Sequence, residues 1–194
     1  MCCHHYRSLI IITDPLHLRH CGHDLSIHQL FHLSKFDAAF IDCQVWVAIV
    51  DGEIGSVATV AQPGKKLEEK QVFKQRAFEP LNEEVRSWMA TTFNPLQAKV
   101  DSSIPGGALQ SYYVQGIATH PSFQGKGLAS AILGRLTNLA KKENTCVALI
   151  TVSARAATVY HRNGFKITYE DNFTYDQELG DAPFCIMVND PSEC

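Results

Sequence analysis

Val45 to Val50 (VWVAIV) and Glu53 to Val60 (EIGSVATV) are two apolar, β-branched runs joined by Asp51-Gly52. A type I′ turn needs positive φ at both central positions, which Asp and Gly tolerate, so this pattern predicts a β-hairpin. Gln62-Pro63-Gly64 ends it. Farther on, Leu81, Val85, Trp88 and Met89 recur at helical spacing and predict a helix over Asn82–Phe93. Pro95 is expected to stop that helix, and Pro105-Gly106-Gly107 marks a loop. Residues 65–110 read as a surface insertion over a site or as a plain connector. From Tyr112 the pattern is regular. Tyr112–Ala118 is a strand broken by His120-Pro121, and Leu128, Ala131, Ile132, Leu136, Leu139 and Ala140 trace one face of a helix ending near Lys142. Val147–Val152 is continuously apolar, as a strand covered on both faces should be. Ala154–Arg162 reads as a short helix stopped by Asn163-Gly164, and Phe165–Tyr169 and Phe184–Val188 as closing strands. Strand–helix–strand in the middle with hairpins at both ends predicts an α/β layer fold built on a mixed sheet.

Composition narrows the class. A chain of 194 residues with 45% hydrophobic and 19% charged residues has the balance of one globular domain. Seventeen basic against 20 acidic residues leave a net charge of −3, with no cationic excess for nucleic acid. The seven cysteines contain no CxxC pair, which excludes a zinc ribbon or a thioredoxin-type motif. Cys43, Cys146 and Cys185 lie in apolar runs and read as reduced core thiols. The apolar stretch Leu9–Ile12 is too short for a signal peptide or a membrane span, so a cytoplasmic protein without a membrane partner is expected. Residues 1–44 form an atypical histidine-rich segment, holding seven of the nine histidines and expected to pack on a domain at 45–190. Asp24, His28 and His32 would share one helical face. HQLFH, however, lacks the glutamate of HExxH, and Ile27, Leu30 and Phe31 already account for a helix, so no metal site is assigned.

The chemistry concentrates in Gln124-Gly125-Lys126-Gly127-Leu128-Ala129, between a strand and a helix. Two glycines let a ligand approach the backbone, and the N–H groups of a helix's first turn make a site for phosphate or pyrophosphate. Lys126 can add charge at the rim. A P-loop, GxxxxGK[ST], is absent. A dinucleotide fingerprint would put Ser130 at its third small position, yet Thr119–Gln124, with a proline, separates these glycines from the strand. No GxSxG elbow is present to support a serine hydrolase.

The third reading is an acyl-coenzyme A site. Gln124–Ala129 matches Q/R-x-x-G-x-G/A, and Ala156–Phe165 (AATVYHRNGF) matches A-x-x-x-Y-x-x-x-G-F, the two separated by one helix and one strand. In these blocks residues 45–188 resemble the GNAT superfamily of acyl-CoA N-acyltransferases. The resemblance implies the GNAT fold, a mixed, mostly antiparallel central sheet flanked by helices. It also implies an enzyme that moves the acetyl group of acetyl-CoA to a primary amine, on a small molecule, a peptide or a protein. By position, Ile117, Ala118 and Thr119 would hold the pantetheine arm and acyl carbonyl through backbone groups. Gln124, Gly125, Lys126, Gly127, Leu128, Ala129 and Ser130 would cradle the pyrophosphate, and Tyr160 would protonate the departing thiolate. Ser153 stands where many members carry an asparagine that contacts coenzyme A. Glu170, Asp171 and His120 are candidates for the base by residue type alone. The alternative is a coenzyme A-binding module without turnover, in which Tyr160 only packs under the cofactor.

Overall fold

A computed structural model describes residues 19, 21–67, 69–174 and 180–193. The apolar run Leu9–Ile12, His4, His5, His17 and His20, and the loop residues 175–179 lie outside them. The chain enters through helix α1 (Leu25–Asp42), capped by Asp24, whose carboxylate accepts from the N–H groups of Ser26 and Ile27 at 2.8 and 3.3 Å. That cap commits Asp24 to the helix end. The hairpin follows as β1 (Gln44–Val50) and β2 (Glu53–Ala61), with φ of 52° at Asp51 and 82° at Gly52, as its Asp-Gly turn requires.

A helical excursion comes next. It comprises α2 (Gln71–Phe73), which opens into a π-helical turn at Lys74–Phe78, then α3 (Glu83–Trp88), a second π turn at Met89–Phe93, and α4 (Asn94–Ser103). Here the sequence expectation is corrected, because Pro95 does not stop the helix. It sits in the first turn of α4, where its missing N–H costs little, and the π turn before it absorbs the clash that proline would cause in a regular helix. The remaining elements are β3 (Tyr112–Thr119), α5 (Leu128–Lys142), β4 (Val147–Thr151), α6 (Ala154–Arg162), β5 (Lys166–Thr174) and β6 (Asp181–Asn189).

The six strands form one sheet in the order β1-β2-β3-β4-β6-β5, antiparallel everywhere except between β3 and β4. Strand alternation sends side chains to two separate cores. On one face Val60, Val114, Leu149 and Met187 pack with Ile132, Leu133 and Leu136 of α5 and Tyr160 of α6. The buried stripe of α5 runs through Leu133 rather than Ala131, which is exposed. On the other face Tyr113, Ala148, Phe184 and Ile186 meet Trp88, Leu96 and Val100 of α3 and α4. A third cluster seats Phe31, Ala38 and Ala39 of α1 against Leu67, Phe73 and Ala77. Val147, Ala148 and Leu149 are at most 1% exposed, so β4 is covered on both faces, as its unbroken apolar run predicts. At the sheet edge, Val47 and Ile49 of β1 are exposed, as are Phe40 and Ile41 at the end of α1. Among the described residues no helix is long and apolar enough to cross a membrane.

One half-buried polar contact ties the sheet to the end of α5. The Tyr112 hydroxyl donates to Glu143 Oε2 at 2.7 Å, and burial, reinforced by that carboxylate, pushes the phenol up to about 12. Folding therefore favours the protonated phenol. Its contribution to stability is complete below the ordinary phenol value of 10 and is lost as pH rises towards 12. Tyr112→Phe is expected to cost about 1 kcal/mol at neutral pH and to flatten the alkaline fall in stability, measured by urea unfolding against pH.

Candidate active site

The site begins where β3 leaves β4. These parallel strands are in register only at Tyr112↔Val147, Tyr113↔Ala148 and Val114↔Leu149. Just beyond, the β2–β3 register steps from Val60↔Val114 to Thr59↔Gly116, so Gln115 is the extra residue of a β-bulge. From there β3 stays with β2 while the other chain turns away through Val152 into α6. The split opens a cleft of about 1000 Å³ that passes through the sheet, lined by Gly116 and Ile117 on one side and by Thr151, Ser153, Ala156 and Tyr160 on the other.

Backbone alternation decides which groups face this gap. The His120 N–H donates to Gly55 O at 2.8 Å, and Ala118 O accepts from Ser56 Oγ at 2.8 Å, so residues 118 and 120 turn their backbone groups toward β2. Ile117 and Thr119, one position out of phase, turn theirs toward the gap. Of the three residues expected to act through their backbone, Ala118 thus points the other way. Thr119 O also accepts from Gln124 Nε2 at 3.4 Å, which fastens the following loop to the strand end.

That loop ends in a helix start with no side-chain cap. Gly125 and Gly127 both have φ of +76°, a conformation glycine adopts without strain, and Gly127 occupies the N-cap position of α5. The first turn of α5 contains no acidic residue. The N–H groups of Leu128, Ala129 and Ser130 therefore keep the partial positive charge of an open helix end, suited to an anion. Lys126 lies beside this rim with Nζ 4.8 Å above the Phe123 ring. Ser130 Oγ accepts from Asn163 Nδ2 at 3.0 Å, and the same amide donates to Val159 O at 2.8 Å, joining the start of α5 to the end of α6.

Tyr160 is 9% exposed, its ring centroid 6.0 Å from that of Phe165, and it lines the cleft. Ser153 lines it too, but its hydroxyl caps α6 by accepting from the Ala156 N–H at 3.3 Å. His120 acts as a turn residue, with Nδ1 accepting from the Ser122 N–H at 3.3 Å. Asp171 accepts from the Tyr169 hydroxyl at 3.0 Å, and Glu170 from the Cys185 thiol at 3.8 Å, so neither is aimed into the cleft wall. Burial pushes the thiols of Cys21, Cys146 and Cys185 up, Cys21 to about 12, which keeps them protonated and poor nucleophiles. No group of three or more metal-ligating side chains stands together among the described residues.

Two cleft residues have no signal in the sequence pattern. Lys35 of α1 is only 8% exposed, and its Nζ donates to the bulge carbonyl Gln115 O at 3.2 Å while lying 4.7 Å from the Phe31 ring centroid. A lysine followed by Phe36 and Asp37 reads as a solvated helix position. Only the packing of α1 over β2 and the helical excursion reveals it as interior.

With its strand split beside an uncapped, glycine-led helix, the fold matches that of solved acetyltransferase structures. Residues 96–167 match the family model of the acetyltransferase (GNAT) domain. The solved structures agree on the fold. A structure from Corynebacterium glutamicum, described as histone acetyltransferase HPA2 and related acetyltransferase, is 22% identical with a TM-score of 0.59, over 97% of this chain and 88% of that one. Polyamine N-acetyltransferase of Drosophila melanogaster is 12% identical with a TM-score of 0.54, over 75% of this chain and 74% of its own. An agmatine N-acetyltransferase variant is 13% identical with a TM-score of 0.53, over 74% of this chain and 72% of that one. A search of curated proteins returns no match.

Close packing under the loop is testable with two glycines. A Cβ on Gly55 would lie 2.5 Å from Leu128 Cδ1 and 3.2 Å from Phe123 Cγ. Gly55→Ala is expected to destabilise by about 1–3 kcal/mol through overpacking. Gly134, inside α5, has nothing within 4 Å of such a Cβ, and Gly134→Ala should stabilise by about 0.5–1 kcal/mol. Urea unfolding of both variants checks the pair.

Proposed function

We propose that the protein is an acetyl-CoA-dependent N-acetyltransferase acting on a primary amine. The observation that carries this reading is the gap at the β3–β4 split opening beside the uncapped start of α5. One linear ligand with an anionic end and an amide-bearing arm matches both. In this reading the N–H groups of Gly125–Ser130 hold the pyrophosphate, with Gln124 fixing the loop and Lys126 at its rim. The backbone groups of Ile117 and Thr119 that face the gap bond the pantetheine arm and the acetyl carbonyl, which lowers the energy of the oxyanion formed on attack.

The amine nitrogen then attacks the thioester carbonyl directly, and the C–S bond breaks as the amide forms. Tyr160 gives its phenolic proton to the leaving thiolate, and the proton released by the amine departs through solvent in the open cleft. The raised pKa values of Cys21, Cys146 and Cys185 support direct transfer over an acyl-cysteine intermediate. Ser153, occupied as a helix cap, contributes to the cofactor wall by position.

Binding and turnover test this reading separately. At a hundredfold excess over its dissociation constant, acetyl-CoA should stabilise the protein by about 2.7 kcal/mol in a thermal melt, and NAD should leave the melt unchanged. No shift with acetyl-CoA would overturn the cofactor assignment. Tyr160→Phe is expected to lower kcat for thiol release about a hundredfold with the KM for acetyl-CoA little changed. Full activity in that variant would remove Tyr160 from the chemistry.

A further inference from the structure

Resting on the acetyl-CoA reading of the site, we infer that the Ser130 hydroxyl donates a hydrogen bond to the cofactor's pyrophosphate, and that Asn163 is the positioning residue that aims it. Ser130 is the third residue of α5, just behind the glycine at the N-cap position. The Ala131 N–H bonds back to Gly127 O at 2.9 Å, so the helix's own ladder begins only after Ser130. Side chains on a helix lean toward its N-terminus. The Ser130 hydroxyl therefore lies alongside the same open N–H groups that suit an anion.

What that hydroxyl can do is decided by Asn163. Helix α6 closes with a tight turn, in which the Asn163 N–H goes to Tyr160 O at 2.9 Å and not to Val159 O. The Asn163 side chain takes Val159 O instead, through Nδ2 at 2.8 Å, and the same nitrogen donates to Ser130 Oγ at 3.0 Å. A carbonyl oxygen only accepts, so the contact with Val159 fixes which end of the amide faces this corner. The nitrogen, with both its hydrogens committed, lies against Ser130, and the serine oxygen must accept. The turn is held from β6 as well, where Asn189 Nδ2 donates to Asn163 O at 3.3 Å and to Gly164 O at 3.0 Å.

The consequence is one of polarity. A serine hydroxyl has a single hydrogen to give and two lone pairs with which to accept. Asn163 occupies a lone pair and leaves the hydrogen, which has no acceptor among the described residues. It is a neutral donor held at the rim of an anion site, and a bond from it to a charged phosphate oxygen is of the stronger kind. An aspartate of the same shape at position 163 would reverse the arrangement. Its oxygens would repel Val159 O and draw the Ser130 hydrogen toward α6, away from the phosphate.

Calorimetric binding of coenzyme A to variants of both residues, singly and together, tests the inference. Ser130→Ala is expected to weaken binding about tenfold or more, and Ser130→Thr, which keeps the hydroxyl, should retain most of the affinity. Asn163→Ala should also weaken binding, but should add little in protein that already carries Ser130→Ala, because it acts through that hydroxyl. A residue that merely stabilises the end of α6 would lower affinity by the same factor in both backgrounds. Equal losses in the two backgrounds, or no loss in either, would overturn the assignment of Asn163. Unchanged affinity in Ser130→Ala would overturn the whole inference and leave the cofactor reading standing. Failure of the unsubstituted protein to bind coenzyme A would overturn the cofactor reading itself, and this inference with it. Should Asn163→Ala not fold, Asn163→Asp closes the same cycle, with a larger loss expected while Ser130 is present than once it is alanine. Equal losses there would likewise remove Asn163 from the role.

Discussion

The parting of β3 from β4 is the constraint on which the rest of this molecule depends. Two parallel strands that stay paired satisfy each other's backbone groups, whereas strands that separate after three register positions leave a row of N–H and C=O groups facing a gap. Such groups are costly to bury without partners, so a split in the middle of a sheet is stable only if water or a ligand can enter it. The bulge at Gln115 turns this topological defect into a device. By adding one residue it rotates the following strand, so Ile117 and Thr119 present their backbone to the opening while β3 keeps its bonds to β2.

The two faces of the sheet contribute differently to the opening. The face that carries α5 and α6 is packed around aliphatic side chains, with fully buried Leu133, Leu136, Leu149 and Met187, and it offers an electropositive helix start. The opposite face is built from short helices interrupted by π turns, and it offers aromatic rings and the buried Lys35. One side is thus suited to a large anionic cofactor, and the other to a smaller, flatter molecule.

Most of the scaffold was legible in the sequence because its signals are local. Of the two helices beside the split, Ala154–Arg162 was placed to the residue by its stop at Asn163-Gly164, and the apolar face from Leu128 to a stop near Lys142 belongs to Leu128–Lys142. The hairpin followed from two residues, Asp51 and Gly52. Pro95 misled because a π turn is a response to packing and leaves no mark in the residues that form it. The inward turn of Lys35 and the bulge at Gln115 were out of reach for the same kind of reason. A bulge is a mismatch between two strands and exists only relative to its partner, and Lys35 becomes interior only when residues 65–104 close over α1. Ala118 was grouped with its neighbours because residue order carries no record of which way a peptide group faces.

The hydrogen bond between Asn163 and Ser130 has a mechanical consequence. It locks the helix that bears Tyr160 to the helix whose start opens on the cleft, so these parts form one stiff block on the strands below. The wall across from it is assembled instead from short helical pieces joined end to end, with Arg86 of α3 donating to Glu79 O at the end of the preceding π turn and Arg76 paired with Asp37 of α1. Any molecule that binds against that wall meets several small pieces rather than one block, and the entropy lost in ordering them is charged to that molecule's binding. A scaffold divided in this way can change what its segmented wall receives by reworking that wall alone, leaving the stiff side untouched.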